Sequence, residues 1–308
     1  MLNQLAHSRR APRLSLRRRE AISGYLFVLP AVFGFLVFIA GPMLFTAYVS
    51  LTEWDMLSPR RYVGLGNYRK LLTDDPLFWK SLRVTFTYTI ITVPLVQTVG
   101  FAVALLLNVR VRGLAVFRTI FYLPTIAPIV ASSVLWAWIF NSEFGLLNNL
   151  LRQLGLKKIL WLQDPHWALP TLIMLAVWGF GGTMIVYLAG LQGIPIHLYE
   201  AAEIDGARSW HKLKDVTIPM MSPVIFFSTM LSLIYSLQTF TQGLIITNGG
   251  PANSTLFTTL YLYRRAFTDF KMGYAAALAW IVFLIVLVVC LFTLVVFGRR
   301  VYYEEEGR

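Results

Sequence analysis

The feature that most constrains this chain is a series of long apolar runs with almost no charge. They lie near residues 24–50, 84–108, 117–140, 167–191, 220–245 and 274–297. A bilayer needs about 20 apolar residues per helix, and a backbone surrounded by lipid must satisfy its own hydrogen bonds, as a helix does. The sequence therefore predicts an all-α membrane protein with six transmembrane helices.

The composition agrees with that class. The chain has 308 residues, of which 57% are hydrophobic and 14% are charged, whereas soluble domains carry about 25% charged residues. A net charge of +12 would indicate nucleic-acid binding in a soluble protein, but in a membrane protein basic residues fix the orientation of the spans. The single cysteine, Cys290, permits no disulfide within the chain.

The two ends of the chain predict its topology. Residues 1–20 contain six arginines and one acid, Glu20, as expected of a basic cytoplasmic tail. The apolar run after this tail is too long for the core of a signal peptide, and we interpret it as a retained first span. Six spans return the chain to the same side. Residues 21–299 then form the membrane domain and residues 300–308 a second cytoplasmic tail.

The predicted spans are also informative for what they lack. No acidic residue, lysine, arginine or histidine falls well inside any of them. Proton- and ion-coupled transporters use such residues, so a secondary transporter is the weakest candidate. The dipeptide Gly-Lys of phosphate-binding loops is absent. We expect no catalytic residue, metal site or cofactor in this chain, and if the protein moves a solute uphill, the energy must come from another chain.

Neutral polar side chains in the fifth predicted span are a candidate binding face. They recur at i, i+3, i+4 and i+7, which places them on one side of a helix: Ser232, Tyr235, Ser236 and Thr239. Hydroxyl groups beside an aromatic ring suit a neutral, polyhydroxylated ligand. The alternative is that serine and threonine bond neighbouring helices to each other, and the sequence leaves both interpretations open.

A glycine-rich stretch interrupts the fourth predicted span. It begins at Trp178 and Gly179 and continues through Gly182. Irregular backbone inside a membrane is tolerated where it is buried in protein or lines a cavity. The stretch therefore predicts either a cavity wall or a packing face of small residues.

A short charged segment, residues 197–219, separates the fourth and fifth spans. Its two adjacent alanines, Ala201 and Ala202, let another surface approach closely, and Asp205-Gly206 predicts the end of a helix. A helix, a glycine turn and a second helix also occur in DNA-binding modules. Between two membrane spans, the segment is better interpreted as a docking site for a cytosolic partner.

The spacing in this segment resembles a family signature. Glu200-Ala201-Ala202 is followed after three residues by Gly206, and then by Val216 and Ile218-Pro219. This is similar to the EAA signature of ABC importer permeases, with Val for Ile and Ile for Leu. Three further stretches resemble the carbohydrate-uptake branch, near the maltose, glycerol-phosphate and multiple-sugar permeases. They begin at Phe117, Gly145 and Asn248.

The resemblance implies a type I ABC importer permease fold, with a cytoplasmic coupling helix between spans four and five. The implied coupling residues are Glu200, Ala201, Ala202, Asp205 and Gly206. The implied substrate-binding residues are Trp178, Gly179, Gly182, Ser232, Tyr235, Ser236 and Thr239.

The resemblance also implies a set of partners. These are a second six-span permease subunit forming a heterodimer, two ATP-binding subunits that bind ATP and Mg, and an extracytoplasmic solute-binding protein. It further implies the plasma membrane of a prokaryote and a carbohydrate substrate. Two alternatives stay open at this point. One is an importer of another small polar solute, such as a glycerophosphodiester, and the other is a membrane sensor that docks a cytosolic partner.

Overall fold

The computed structural model describes residues 16–109 and 112–298. The predicted cytoplasmic tail at residues 300–308 and most of the tail at residues 1–20 therefore lie outside the described residues. The described chain is almost entirely helical, apart from a hairpin of two short strands.

The helices follow one another with short connections. In chain order they are α1 Leu16–Phe35, α2 Gly41–Ser50, α3 Gly66–Thr73, α4 Pro76–Leu107, α5 Leu114–Ile126, α6 Ile129–Ile139, α7 Leu146–Gln153, α8 Pro165–Trp178, α9 Gly181–Gln192, α10 Ile196–Ile204, α11 Ser209–His211, α12 Ile218–Leu237, α13 Thr258–Tyr263 and α14 Met272–Gly298. Turns of π-helix occupy Leu36–Ala40, Lys212–Thr217, Gly243–Thr247 and Arg264–Thr268. The hairpin pairs β1 Thr52–Glu53 with β2 Arg61–Tyr62.

Four continuous helical segments are long and apolar enough to cross a membrane, namely Leu16–Ser50, Pro76–Leu107, Ser209–Leu237 and Met272–Gly298. Two pairs of shorter helices reach that length together but are bent, α5 with α6 by 95° and α8 with α9 by 40°. The predicted all-α membrane class is confirmed. The described residues contain six spans if each bent pair crosses once.

The third span differs from its prediction. A continuous helix over residues 117–140 is wrong, because α5 ends at Ile126 and the chain turns sharply before α6. Ala127 is extended, with φ −64° and ψ 132°, as expected of a residue that precedes a proline, here Pro128. The interruption of the fourth span is confirmed, since α8 ends at Trp178 and α9 begins at Gly181.

The fifth span is also displaced from its predicted position at residues 220–245. Its helix begins at Ser209, passes through the π turn and ends at Leu237. Thr239 therefore lies beyond the helix, and its predicted place on a helical face is wrong. Pro219 lies in the first turn of α12, where a missing backbone N–H is tolerated.

Helix α4 is the centre of the packing, with α8, α9 and α12 against it. Near its C-terminal end, a Cβ on Gly100 would lie 2.9 Å from Thr183 Cγ2, so glycine permits the close approach of α9. Near its N-terminal end, Phe78 and Tyr88 join an apolar core with Phe257 and Leu278. Helix α4 therefore joins the α9 contact near one end of the bundle to the apolar core near the other end.

At the bundle end where α4 and α14 begin, called here the distal end, a buried carboxylate joins three helices. Asp75 is 8% exposed and caps α4 by accepting hydrogen bonds from the backbone N–H groups of Leu77 and Phe78, at 3.0 and 3.1 Å. The hydroxyls of Tyr261 and Tyr274 both donate to its other oxygen. This carboxylate thus fastens α13 and α14 to the start of α4.

The charge of Arg265 completes that cluster. Its guanidinium lies 3.9 Å from the Asp75 carboxylate and donates from Nε to the Tyr261 hydroxyl at 2.7 Å. Burial opposes ionisation of Asp75, but the hydrogen bonds from the two tyrosines and from the backbone, with the nearby guanidinium, lower its pKa below the ordinary value. Burial, with the hydrogen bond to Asp75, raises the pKa of Tyr261 to about 12.

Candidate functional site

A cavity of about 590 Å³ lies where the two bent helix pairs meet the end of α12. One wall is the middle of α4, and a second is the elbow between α5 and α6. The end of α8 and the segment at residues 238–242 close the remaining sides. The interruptions at Ala127-Pro128 and Gly179-Phe180 both open onto this space. Bent backbone inside the membrane is therefore placed where it borders a cavity.

The lining of the cavity is neutral, and no charged side chain is among the described residues that border it. Its polar members are hydroxyl and amide side chains, and its aromatic members include an indole and two phenol rings. The polar and indole residues are Tyr88, Thr92, Thr125, Ser132, Ser133, Trp178, Ser232, Tyr235, Ser236, Gln238, Thr239, Thr241 and Gln242.

The structure brings together most of the residues proposed for substrate binding. Those that line the cavity are Trp178, Gly179, Ser232, Tyr235, Ser236 and Thr239. Gly182 is not part of the lining. A Cβ at this position would lie 3.2 Å from Thr125 Cγ2, so Gly182 serves the packing of α9 against α5.

The polar face of α12 borders the cavity and also bonds to a neighbouring helix. Ser232 accepts a hydrogen bond from Gln97 Nε2 at 2.8 Å, and Ser236 donates to Thr89 Oγ1 at 3.0 Å. These two hydroxyls join α12 to α4 while bordering the cavity. Tyr235 is 74% exposed and is the side chain of this face most free to meet a ligand.

Gln97 is a polar residue that the sequence reasoning missed. Its side-chain oxygen accepts hydrogen bonds from the Tyr187 hydroxyl and from Ser228 Oγ, the latter at 3.1 Å, and its amide nitrogen donates to Ser232. One amide therefore connects α4, α9 and α12 beneath the cavity. The available signal was a single glutamine within a span that contains no charged residue, because a buried amide needs hydrogen-bond partners from neighbouring helices.

Aromatic rings support the wall formed by Trp178. Its ring meets Trp136 edge-on with centroids 5.4 Å apart, and Trp136 stacks on Phe140 at 5.1 Å. Such contacts fix ring orientation more strongly than area burial alone. The indole of Trp178 is thereby held at the cavity by a rigid neighbour on α6.

The docking segment forms at the other end of the bundle, where α9 leads into α10. Gly206 ends α10 with φ +77°, and its N–H donates to the Glu203 carbonyl at 3.0 Å while Ala207 N–H reaches the Ala202 carbonyl at 2.8 Å. These paired bonds satisfy the last carbonyls of the helix. The predicted helix end at Asp205-Gly206 is confirmed.

The surface of this segment is open to a partner. Glu200, Ala201, Asp205 and Gly206 are exposed and Ala202 is half-buried. Small side chains there allow close approach. Two large apolar side chains also project from the segment, Ile204 at 87% and Trp210 at 66% exposure. Apolar groups beside a charged, small-residue surface are typical of a protein-binding site.

Three internal bonds shape the segment. Lys212 Nζ pairs with Glu203 Oε1 at 2.5 Å, Tyr199 and Thr217 share a hydrogen bond at 3.0 Å, and Thr217 bonds to the Lys212 carbonyl. The described residues contain no group of three or more histidine, cysteine or acidic side chains placed to hold a metal ion. The internal bonds therefore give the segment a defined surface shape.

Comparison with known proteins places this geometry in a family. The model of the family described as "Binding-protein-dependent transport system inner membrane component" matches residues 97–301. The "Probable ABC transporter permease protein YesP" of Bacillus subtilis (strain 168) is 41% identical over 295 residues, 94% of each chain. The "Lactose transport system permease protein LacF" of Rhizobium radiobacter is 39% identical over 284 residues, 90% of this chain and 94% of the relative.

A solved structure has the same fold. It is a chain of a bacterial alginate ABC transporter crystallised with its alginate pentasaccharide-bound periplasmic protein. The TM-score is 0.80 at 26% identity, over 90% of this chain and 93% of the other. The chain thus has the fold of a type I ABC importer permease, and it belongs to the family of binding-protein-dependent transport system inner membrane components.

Proposed function

We propose that this chain is the membrane-spanning subunit of an ATP-driven importer that moves a neutral carbohydrate by alternating access. The observation that carries the proposal is the cavity at the helix interruptions, with its uncharged hydroxyl, amide and indole lining. Hydroxyl and amide groups exchange hydrogen bonds with sugar hydroxyls, and ring faces pack on sugar C–H groups. The name of the lactose permease relative supports the same substrate class.

In this proposal the docking segment is the coupling helix. Ala201 and Ala202 admit the surface of an ATPase subunit, Glu200 supplies charge there, and Asp205-Gly206 makes the turn that follows. The partner binds ATP and Mg, and this chain supplies only the contact. The chain is accordingly a transport subunit and has no ATPase site of its own.

The helix that follows α10 leads from this contact to the cavity, and the Lys212–Glu203 and Tyr199–Thr217 bonds join its first turns to α10. The helix Ser209–Leu237 is continuous, and about 35 Å separates Ser209 from Ser232 at 1.5 Å per residue. A displacement of the coupling helix therefore moves the cavity wall formed by Ser232 and Tyr235. This connection supports the coupling of ATP hydrolysis to reopening of the cavity on the other side.

The assembly proposed around the chain has four further subunits or partners in addition to the sugar. A second six-span permease completes the pathway, two ATP-binding subunits dock on the coupling helices, and a solute-binding protein delivers sugar at the distal end. Both tails lie in the cytoplasm of a prokaryotic plasma membrane, which agrees with the six arginines of residues 1–20.

The experiment that tests the proposal is reconstitution of the complex co-purified from native membranes. Uptake into proteoliposomes and ATPase activity are measured with a panel of neutral sugars, anionic sugars and glycerophosphodiesters. ATP-dependent accumulation of a neutral sugar is the expected result. Accumulation of only anionic sugars contradicts the assignment of a neutral substrate, and accumulation of only glycerophosphodiesters contradicts the carbohydrate assignment. A chain that binds a cytosolic partner but accumulates nothing is instead a sensor.

Two variants divide the proposal into its parts. Tyr235→Ala should raise KM for the sugar by about thirtyfold, since one ring contact and one hydrogen bond are each worth about 1 kcal/mol, and should leave basal ATPase activity unchanged. Tyr25→Ala, on an equally exposed side chain of α1, should change neither. Glu200→Lys should abolish stimulation of the partner's ATPase activity without preventing membrane insertion. Glu53→Lys, at the distal end, should leave that stimulation unchanged. Normal transport in both Tyr235→Ala and Glu200→Lys contradicts the residue assignments.

A further inference from the structure

Helix α7 exposes a row of leucines on one side. Leu146 and Leu150 lie on α7, and Leu154 directly follows its end with its N–H still donating to the Leu150 carbonyl at 3.1 Å. Their spacing of four residues places them along one side. They are 51%, 46% and 73% exposed, and Phe144 before them is 55% exposed. This apolar row faces away from the rest of the chain.

The opposite side of α7 is fixed by one buried amide. Asn148 is 1% exposed, and its Nδ2 donates to the carbonyls of Ser142 and Ile159 at 3.0 and 2.9 Å. Its Oδ1 accepts from Ile159 N–H and from Trp161 Nε1, both at 3.1 Å. A side chain with this set of partners sets the rotation of the helix, so the leucines cannot turn inward.

Exposed aromatic residues near α7 indicate its depth relative to the membrane surface. The loop that contains it joins α6 to α8, and exposed indoles occur near both junctions, Trp138 at 56% and Trp167 at 41%. The Trp138 ring lies 6.4 Å from that of Phe144. Exposed tryptophans are enriched where membrane meets water. The row of leucines therefore starts at the level of the membrane surface.

Basic side chains accompany the leucines. Arg152 lies on α7, and Lys157 and Lys158 follow its end; all three are exposed. In the described part of the chain, neither lysine takes part in an ion pair. Of the two acids in the same loop, Glu143 is exposed, and Asp164 is already engaged, capping α8 and bonding to His166 Nδ1 at 3.0 Å. Three bases therefore stand against one acid that is not engaged in this way. The charge beside the leucines is predominantly positive.

We propose that residues 144–158 form a binding site for anionic phospholipid. Helix α7 lies in the membrane plane with Leu146, Leu150 and Leu154 among the acyl chains, while Lys157 and Lys158 bind headgroup phosphate. An apolar face flanked by cationic groups is the pattern of helices that lie in a membrane interface. Anionic headgroups attract each nearby lysine by about 1 kcal/mol, and this charge pairing favours lipid over an apolar protein partner.

Depth-dependent quenching tests the placement of α7. In a Cys290→Ser background, Leu150→Cys of the full-length chain is labelled with a polarity-sensitive fluorophore, and the chain is placed in phosphatidylglycerol nanodiscs. Shallow spin-labelled lipid should quench the label, and aqueous iodide should quench it weakly. Thr73→Cys on α3 is the matched control, and iodide should quench it strongly. Strong iodide quenching at Leu150→Cys overturns the proposal.

Lipid preference tests the lysines. With brominated phosphatidylglycerol competing against phosphatidylcholine at the Leu150→Cys label, each of Lys157→Gln and Lys158→Gln should lower the preference about fivefold, the equivalent of about 1 kcal/mol. Lys271→Gln, exposed in another distal loop, should leave it unchanged. An unchanged preference in both lysine variants overturns the headgroup site. Protection of the label only after a second permease or binding protein is added identifies a protein contact and also overturns it.

Discussion

The docking segment and the distal end carry similar polar residues but are held in opposite ways. In the docking segment, the Lys212–Glu203 and Tyr199–Thr217 bonds join residues 9 and 18 positions apart. At the distal end, the partners of Asp75 are 186 and 199 positions away, and Lys80 reaches the Ala252 carbonyl across 172. The docking segment is held by bonds between residues that are close in sequence. The bonds at the distal end join parts of the chain that are far apart in sequence.

This difference matches what each region does in the proposed importer. A locally closed segment keeps its shape when it moves, because its bonds travel with it. The distal end instead fixes the starts of α4 and α14 relative to α13. We therefore expect substitutions at the distal end to lower the stability of the whole chain, and substitutions in the docking segment to act locally.

The largest effect is expected for Asp75→Ala. Removing the carboxylate leaves the two tyrosine hydroxyls and two backbone N–H groups without their acceptor, while the Arg265 guanidinium keeps its ion pair with Asp269 at 2.7 Å. Breaking a buried charged cluster costs about 3 kcal/mol or more. Thermal unfolding in nanodiscs measures the loss. The neighbouring Asp74→Ala, on an exposed side chain, serves as the control and should change little. An equal fall of the thermal midpoint in both variants would show that the stability of the distal end does not depend specifically on Asp75.

Acid should weaken the same cluster. Because the folded-state pKa of Asp75 lies below its unfolded value near 3.9, its contribution is complete above the unfolded pKa and is lost as pH falls through the folded pKa. The thermal midpoint of the parent chain should therefore begin to drop as the pH falls toward the unfolded pKa and should go on dropping until the pH is below the folded pKa. In Asp75→Asn the corresponding part of that drop should be missing. A pH profile identical to that of the parent would exclude Asp75 as the titrating group.

A smaller and local effect is expected for Gly206→Ala. A Cβ there meets no atom within 4 Å, so the change tests backbone conformation alone, and a left-handed alanine costs about 1 kcal/mol. Hydrogen exchange should speed up roughly fivefold in residues 200–207 while the thermal midpoint hardly changes. Gly155→Ala, also at positive φ in open space, should affect only its own loop. Faster exchange at the distal end would break the contrast between the regions.

The smallest effect is expected for Lys212→Ala. The ion pair with Glu203 lies at the surface, where such pairs contribute about 0–1 kcal/mol. Midpoint changes should stay within a degree or two, and added salt should reduce the difference between variant and parent because ions screen exposed charges. A destabilisation as large as that of Asp75→Ala would mean that the docking segment also fastens the bundle.

The same contrast explains what the sequence could predict. The helix end at Gly206 follows from local chemistry, because only residues 202–207 take part, and it was predicted. The partners of Asp75 depend on which helices pack together, and no local pattern identifies Tyr274 as one of them. The bend of the third span had a local signal in Pro128, but the interpretation as one continuous run overlooked it.

The cavity was predictable only in part. Periodicity identified Ser232, Tyr235 and Ser236 because they share a helix face, while Thr239 reaches the cavity from beyond the helix end. Tyr88, Thr125 and the α6 serines come from other elements and join them only through tertiary packing. Gly182 was included because the family resemblance implies it, but it packs against Thr125 and is not part of the lining.

The sequence distance across the Asp75 cluster has a consequence for biosynthesis. A ribosome adds about 5–20 residues per second, so roughly 10–40 s pass between synthesis of Asp75 and arrival of Tyr261 and Tyr274. During that interval the carboxylate has its backbone cap but neither hydroxyl, and it can remain hydrated at the membrane surface. The hydrogen bonds from Tyr261 and Tyr274 to Asp75 are therefore among the last contacts to form during synthesis. A chain truncated before α13 would be released without either of them.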